Sequence, residues 1–131
     1  FLEADISKKI QFHGMLNRDE LLRRLETFDI ALVPLHTRIY GSVPSKIFEY
    51  GALGFPILYF GGGEGETIVS EHKMGWVSPV GNYSDLNSQL IHISKMDKQE
   101  LSQMKKEIFE NAKTAFKLDN QLTELIEKGV F

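Results

Sequence analysis

Short apolar runs and helical stripes alternate along the chain. Lys9-Ile10-Gln11-Phe12-His13 switches between polar and apolar at every step and stops at Gly14, the pattern of a short strand. Asn17 or Asp19 can cap the helix that follows, whose apolar face is Leu21, Leu22, Leu25 and Phe28. Ile30-Ala31-Leu32-Val33 runs apolar up to Pro34, as a strand covered on both faces of a parallel sheet does. After a polar loop, Pro44 suits the first turn of a helix that reaches Ala52-Leu53 and stops at Gly54. Pro56 to Phe60 predicts a third strand, broken by Gly61-Gly62-Gly63; a helix through Thr67 to Glu71 and a last short strand, Gly75-Trp76-Val77, follow. The rest is helical from about residue 82 to 128, with stripes at Leu86, Leu90 and Ile93, at Leu101, Met104, Ile108 and Ala112, and at Leu122, Leu125 and Ile126. Four strands alternating with helices predict one α/β domain over residues 1–131, with a parallel sheet.

Composition narrows the function classes. At 131 residues, 42% hydrophobic and 25% charged, the chain can bury an ordinary core. Its net charge of -3 is interspersed, without the basic stripe that nucleic-acid binding needs. Cysteine is absent, which removes disulfides, thiolate nucleophiles and thiolate metal ligands. No apolar run approaches the roughly 20 residues of a membrane span, and the N-terminus lacks the plan of a signal peptide. The first residue is Phe1 and not Met, so we expect a chain shortened at its N-terminus.

In open parallel sheets, ligands bind beyond the carboxyl ends of the strands. The loops predicted there are Gly14 to Asn17, Leu35 to Val43 and Gly61 to Gly65. The middle loop feeds straight into a helix through Gly41, Ser42, Val43, Pro44, Ser45, Lys46 and Glu49. A helix N-terminus offers unpaired amides and about half a positive charge, which stabilises a diphosphate. Gly41 admits close backbone approach, Ser42 and Ser45 add hydroxyls, and Lys46 adds a full charge. Glu49, one turn inside, can accept hydrogen bonds from the vicinal hydroxyls of a ribose. The same residues also suit plain helix capping, worth about 1 kcal/mol. The physics leaves both readings open.

The stretch Val43-Pro44-Ser45-Lys46-Ile47-Phe48-Glu49-Tyr50-Gly51-Ala52-Leu53-Gly54-Phe55-Pro56-Ile57-Leu58 resembles the donor-site signature of GT-B glycosyltransferases of family 4, the glycosyltransferase group 1 proteins. It is most similar to a branch with a VPSK-x-x-E-Y-x-A-x-G-x-P pattern, common in polysaccharide and lipopolysaccharide assembly. The strand ending at Gly14, the run Phe28 to Pro34, and Gly61-Gly62-Gly63-Glu64 with Ile68-Val69 and Gly75-Trp76-Val77 resemble other family segments in the same order, over about residues 9 to 95. The resemblance implies a Rossmann-like, partial GT-B C-terminal domain that binds the donor of a hexosyltransferase. Glu49 then matches the second Glu of the family's E-x7-E motif, which holds the donor ribose. Gly41 stands where the first Glu would be, so Gly41 and Ser42 present backbone groups there. Gly14 and Met15, with Leu16, match the place where the nucleobase is held.

What else the resemblance implies is a UDP- or GDP-linked sugar, a glycan or lipid-linked acceptor bound by a preceding domain, and a cytoplasmic enzyme, at most peripheral to the inner membrane face. It implies no cofactor and no metal, in keeping with the lack of any Asp-x-Asp pair. Two βα units and the acceptor domain would precede this chain, so we expect it to be inactive alone and to associate through an unpaired sheet edge. Rival readings are a nucleotide-sugar epimerase of the same architecture and a non-catalytic α/β interaction module. Weaker signals are set aside: Gly61 to Gly65 lacks the Lys-Ser/Thr of a phosphate loop, and His13, His36, His72 and His92 lack metal-ligand spacing. His72 and His92 are expected on solvated helix surfaces, with His13 and His36 beside ligand loops. Phe48, Tyr50 and Trp76 are read as core, and Lys98 to Lys117 as the solvated face of a helix.

Overall fold

The computed structural model describes residues 9–35, 43–116 and 127. Three parallel strands, β1 (Ala31–Pro34), β2 (Ile57–Phe60) and β3 (Gly75–Val77), lie side by side in sequence order. Ala31 stands opposite Ile57, which in turn stands opposite Gly75. Helix α1 (Arg18–Leu25) leads into β1, α2 (Ser45–Ala52) joins β1 to β2, and α3 (Gly63–Glu71) joins β2 to β3. Helices α4 (Tyr83–Ser94) and α5 (Lys98–Ala115) complete the described chain. The α/β class with a parallel sheet and flanking helices is as the sequence predicts.

The core forms where the alternation of β2 meets the helical stripes. Val33, Ile57 and Tyr59 face Ile47 of α2 and Val69 of α3, with Met74 closing the layer. All four residues of β2 are buried, whereas β1 buries only Ala31 and Val33 and leaves Leu32 half exposed. Among the described residues β1 has a strand neighbour on one side only. The amphipathic stripe of α5 turns Ile108 and Ala112 inward, and α5 packs against α2. At that seam the chain leaves α2 through Gly54, at φ +68°, a left-handed value that glycine adopts without strain. A Cβ on Gly54 would stand 2.7 Å from the Lys105 carbonyl oxygen and 3.1 Å from the Phe109 Cβ, so only glycine lets α2 and α5 approach this closely.

Two expectations are corrected. Residues 9–13 do not form a strand: they run as irregular chain, with Phe12 94% exposed, and they pair with no strand of the described sheet, so their alternation is not matched by ladder hydrogen bonds. The helix after β2 starts at Gly63, four residues before the expected Thr67, because Gly62 (φ +64°) and Gly63 (φ +70°) make the turn within two residues. The Tyr59 hydroxyl donates to the Gly62 carbonyl at 2.9 Å and fixes that turn. Stripes at residues 122–126 lie outside the described residues.

Candidate functional site

Among the described residues, helix α2 begins without a side-chain cap. Pro44 is its N-cap residue and contributes no hydrogen-bonding side chain, and Ser45 is already helical and exposed. The capping role that Ser45 and Glu49 could have had is therefore not taken up by either residue. By contrast, α1 starts with a complete capping box, in which Asn17 Oδ1 accepts from the Glu20 amide at 2.9 Å and Glu20 Oε2 accepts from the Asn17 amide at 3.3 Å.

One turn into α2, the structure brings two of the candidate residues together. Lys46 Nζ donates to Glu49 Oε2 at 2.9 Å, an exposed pair at i, i+3 spacing. The hydrogen bond to Glu49, then its charge, raises the Lys46 ammonium above its ordinary range. The contact uses only one carboxylate oxygen, so Oε1 remains able to accept from a ligand. Both side chains are about half exposed, at 50% and 54%, which keeps the pair's own contribution to stability small.

Glu49 and Lys46 form one wall of a cleft of about 360 Å³ between α1 and α2, within the usual range for small-molecule sites. Tyr50 and Leu53 continue that wall, and Arg18, Leu21, Leu22 and Leu25 of α1 form the other. Helix α1 buries no residue completely, so its apolar stripe is spent on this cleft and the hollow beyond it. Arg18 and Leu21 are absent from the sequence-derived set. Their approach to α2 depends on packing between helices some 28 positions apart in the chain, which no local motif encodes.

The other candidates are distributed as follows. Val43 packs part-buried against the core beside Ile47, directly before the mouth of α2. Gly14, at φ +65°, has no heavy atom within 4 Å of where a Cβ would stand, and Met15 is fully exposed, so that loop is open to solvent. Gly41, Ser42 and His36 lie outside the described residues. His13 is part-buried and His92 exposed. The solvated reading of His72 is corrected: it is the C-cap residue of α3, part-buried, with its ring edge-on to Phe116 at 5.1 Å. The core reading of Phe48, Tyr50 and Trp76 holds only in part, since none is fully buried. Phe48 meets Phe116 edge-on at 5.0 Å, and Tyr50 leans on Phe55 at 5.8 Å.

A family model described as "Glycosyl transferases group 1" matches residues 1–115. No curated protein matches the chain. No solved structure does so either.

Proposed function

The chain belongs to the group 1 glycosyltransferases, and on that premise we propose that it binds a nucleoside-diphospho-sugar, UDP- or GDP-linked, at the start of α2. In this reading the diphosphate rests at the uncapped helix mouth at Val43 to Lys46, where free amides and the helix dipole stabilise negative charge. Glu49 accepts hydrogen bonds from the ribose hydroxyls. Gly14 and Met15 approach the base, and Gly41 and Ser42 the sugar end. The observation that carries the reading is the placement of Glu49: accessible, one turn inside an uncapped helix start, and on the wall of a cleft of about 360 Å³.

The reaction that follows is transfer of a hexosyl group to a glycan or lipid-linked acceptor in surface polysaccharide assembly. The departing diphosphate is stabilised by amides and basic side chains without a metal clamp. Cytoplasmic donors fit this assignment, and no helix among the described residues is long and apolar enough to cross a membrane.

Calorimetric titration with UDP, GDP and their sugars tests the proposal. Glu49→Ala should weaken binding by roughly 1.5–3 kcal/mol, the value of a charge-assisted contact. If the wild-type chain binds none of these nucleotides, or if Glu49→Ala binds them unchanged, the site is elsewhere.

A further inference from the structure

Two features are left over once the sheet is assembled, and they match. Residues 9–13 alternate as a strand does but bond to no strand among the described residues, with Ile10 42% and Phe12 94% exposed. Side chains alternate across a strand, so Ile10 and Phe12 would share one face. Strand β1 has the opposite deficit, an edge with no neighbour among the described residues. The Ala31 amide donates to Pro56 and the Leu35 amide to Phe60. Leu32, out of phase with both, therefore turns its N–H and C=O to the open side. Pro34 offers only a carbonyl there.

The open edge also has room for an apolar side chain. Leu32, 49% exposed, and Pro34 flank a hollow of about 510 Å³ that Phe60, Val80, Tyr83 and Leu86 help to line. Phe60, nearly buried, holds the Tyr83 ring edge-on at 5.4 Å. A strand added to β1 sets every second side chain on the face of Leu32 and Pro34, over this hollow. No residue lining it carries a charge, and neither does Ile10-Gln11-Phe12, so docking buries no ion.

We propose that this edge is a docking surface for a second copy of the chain. Residues 9–13 of one copy add as a strand to β1 of the other, Phe12 enters the hollow, and the exchange is reciprocal about a two-fold axis. A segment joined to its own edge through a single helix has a high effective concentration there. It stands unpaired all the same, so the geometry of its own chain does not permit the join, whereas a second copy brings the same segment without that tether. The inference does not rest on the donor reading, because neither surface includes Glu49 or the start of α2. Two Phe12 side chains bury about 150–250 Å² each, and with such short strands the interface stays near the lower end of stable pairs, about 1,200 Å². The dimer is therefore weak and concentration-dependent.

Sedimentation equilibrium of the 131-residue chain at rising concentration tests this. The mean mass should climb from 14.9 kDa toward twice that value. Phe12→Asp and Leu32→Lys should each weaken association about 30-fold or more, as loss of an interface anchor does. Phe12 is almost wholly exposed, so in dilute solution Phe12→Asp should melt with wild type. An equimolar mixture of the two variants should associate more strongly than either alone, because it restores one joint between an intact Phe12 and an intact Leu32. A wild-type chain that stays at 14.9 kDa at every concentration overturns the proposal. So does wild-type association in Phe12→Asp, or a mixture no stronger than its components, since the copies would then meet through other surfaces.

Discussion

Glycines inside two of the helices give a quantitative check on the packing. Gly51 in α2 and Gly65 in α3 are both buried, and alanine at either position gains about 0.8–1.0 kcal/mol of helix propensity. What the new methyl meets differs. At Gly51 it meets the terminal methyl of Met74, the end of an unbranched and adaptable side chain. At Gly65 it would stand 2.5 Å from the Tyr59 hydroxyl oxygen, 2.6 Å from the ring carbon that bears it and 3.0 Å from Ile47 Cδ1. Tyr59 is 1% exposed and tethered to Gly62 at 2.9 Å, so the ring cannot withdraw without losing that bond.

Overpacking costs about 1–3 kcal/mol. We place Gly51→Ala at the low end, where the propensity gain offsets it, and Gly65→Ala at the high end, for a net loss of about 2 kcal/mol. With an unfolding entropy of about 2.1 cal/mol/K per residue over 131 residues, the two variants should melt about 7 °C apart, Gly65→Ala lower. Differential scanning calorimetry measures this directly. Melting points within about 2 °C of each other would show that Tyr59 is not held as rigidly as its hydrogen bond and burial imply.

Other outcomes follow from buried polar groups. Ser78 is fully buried and its hydroxyl has no partner among the described residues, so Ser78→Ala should leave stability unchanged or raise it by up to about 1 kcal/mol in urea melts; a clear loss would reveal a bond that the hydroxyl makes. Burial, and secondarily the charge of Glu66, push the Tyr59 phenol above its ordinary value of 10.0. The unfolded chain then loses this proton first, so the stabilisation is complete below pH 10.0 and fades as pH rises through the folded value. Tyr59→Phe should be about 1 kcal/mol less stable at neutral pH, from the lost bond to Gly62, yet decline less steeply in urea melts above pH 10.0. Parallel declines in the two proteins would refute this assignment. Lys46 shifts in the same direction, but its exposed pair adds little.

Much of the fold was legible in the sequence because short-range rules decide it. Gly54 ends α2, Asn17 caps α1, and the apolar run before Pro34 is a strand, each for a reason contained within a few residues. Residues 9–13 misled because alternation describes a face, while a strand also needs a neighbour to bond with. Gly63 to Gly65 misled in the other direction: low intrinsic propensity argued against helix, but Gly65 is needed there to admit Tyr59. At the candidate site, Lys46 and Glu49 stand three apart in the sequence, a spacing that puts them on one helical face. Their pairing is a local i, i+3 contact that the spacing permits, while the wall that α1 sets opposite them depends on tertiary packing.

The seam at Gly54 carries a lesson for anyone moving pieces between relatives. Because α2 touches α5 where no Cβ fits, and because Lys105 lies 5.8 Å over the Phe55 ring just beyond that turn, the segment Ser45 to Phe55 is half of a matched pair. A chimera that grafts it without Lys105 to Phe109 would carry the signature residues and lose their posture. The unit of transplantation runs from Ser45 to Phe109, 65 positions, although the signature itself, Val43 to Leu58, spans sixteen.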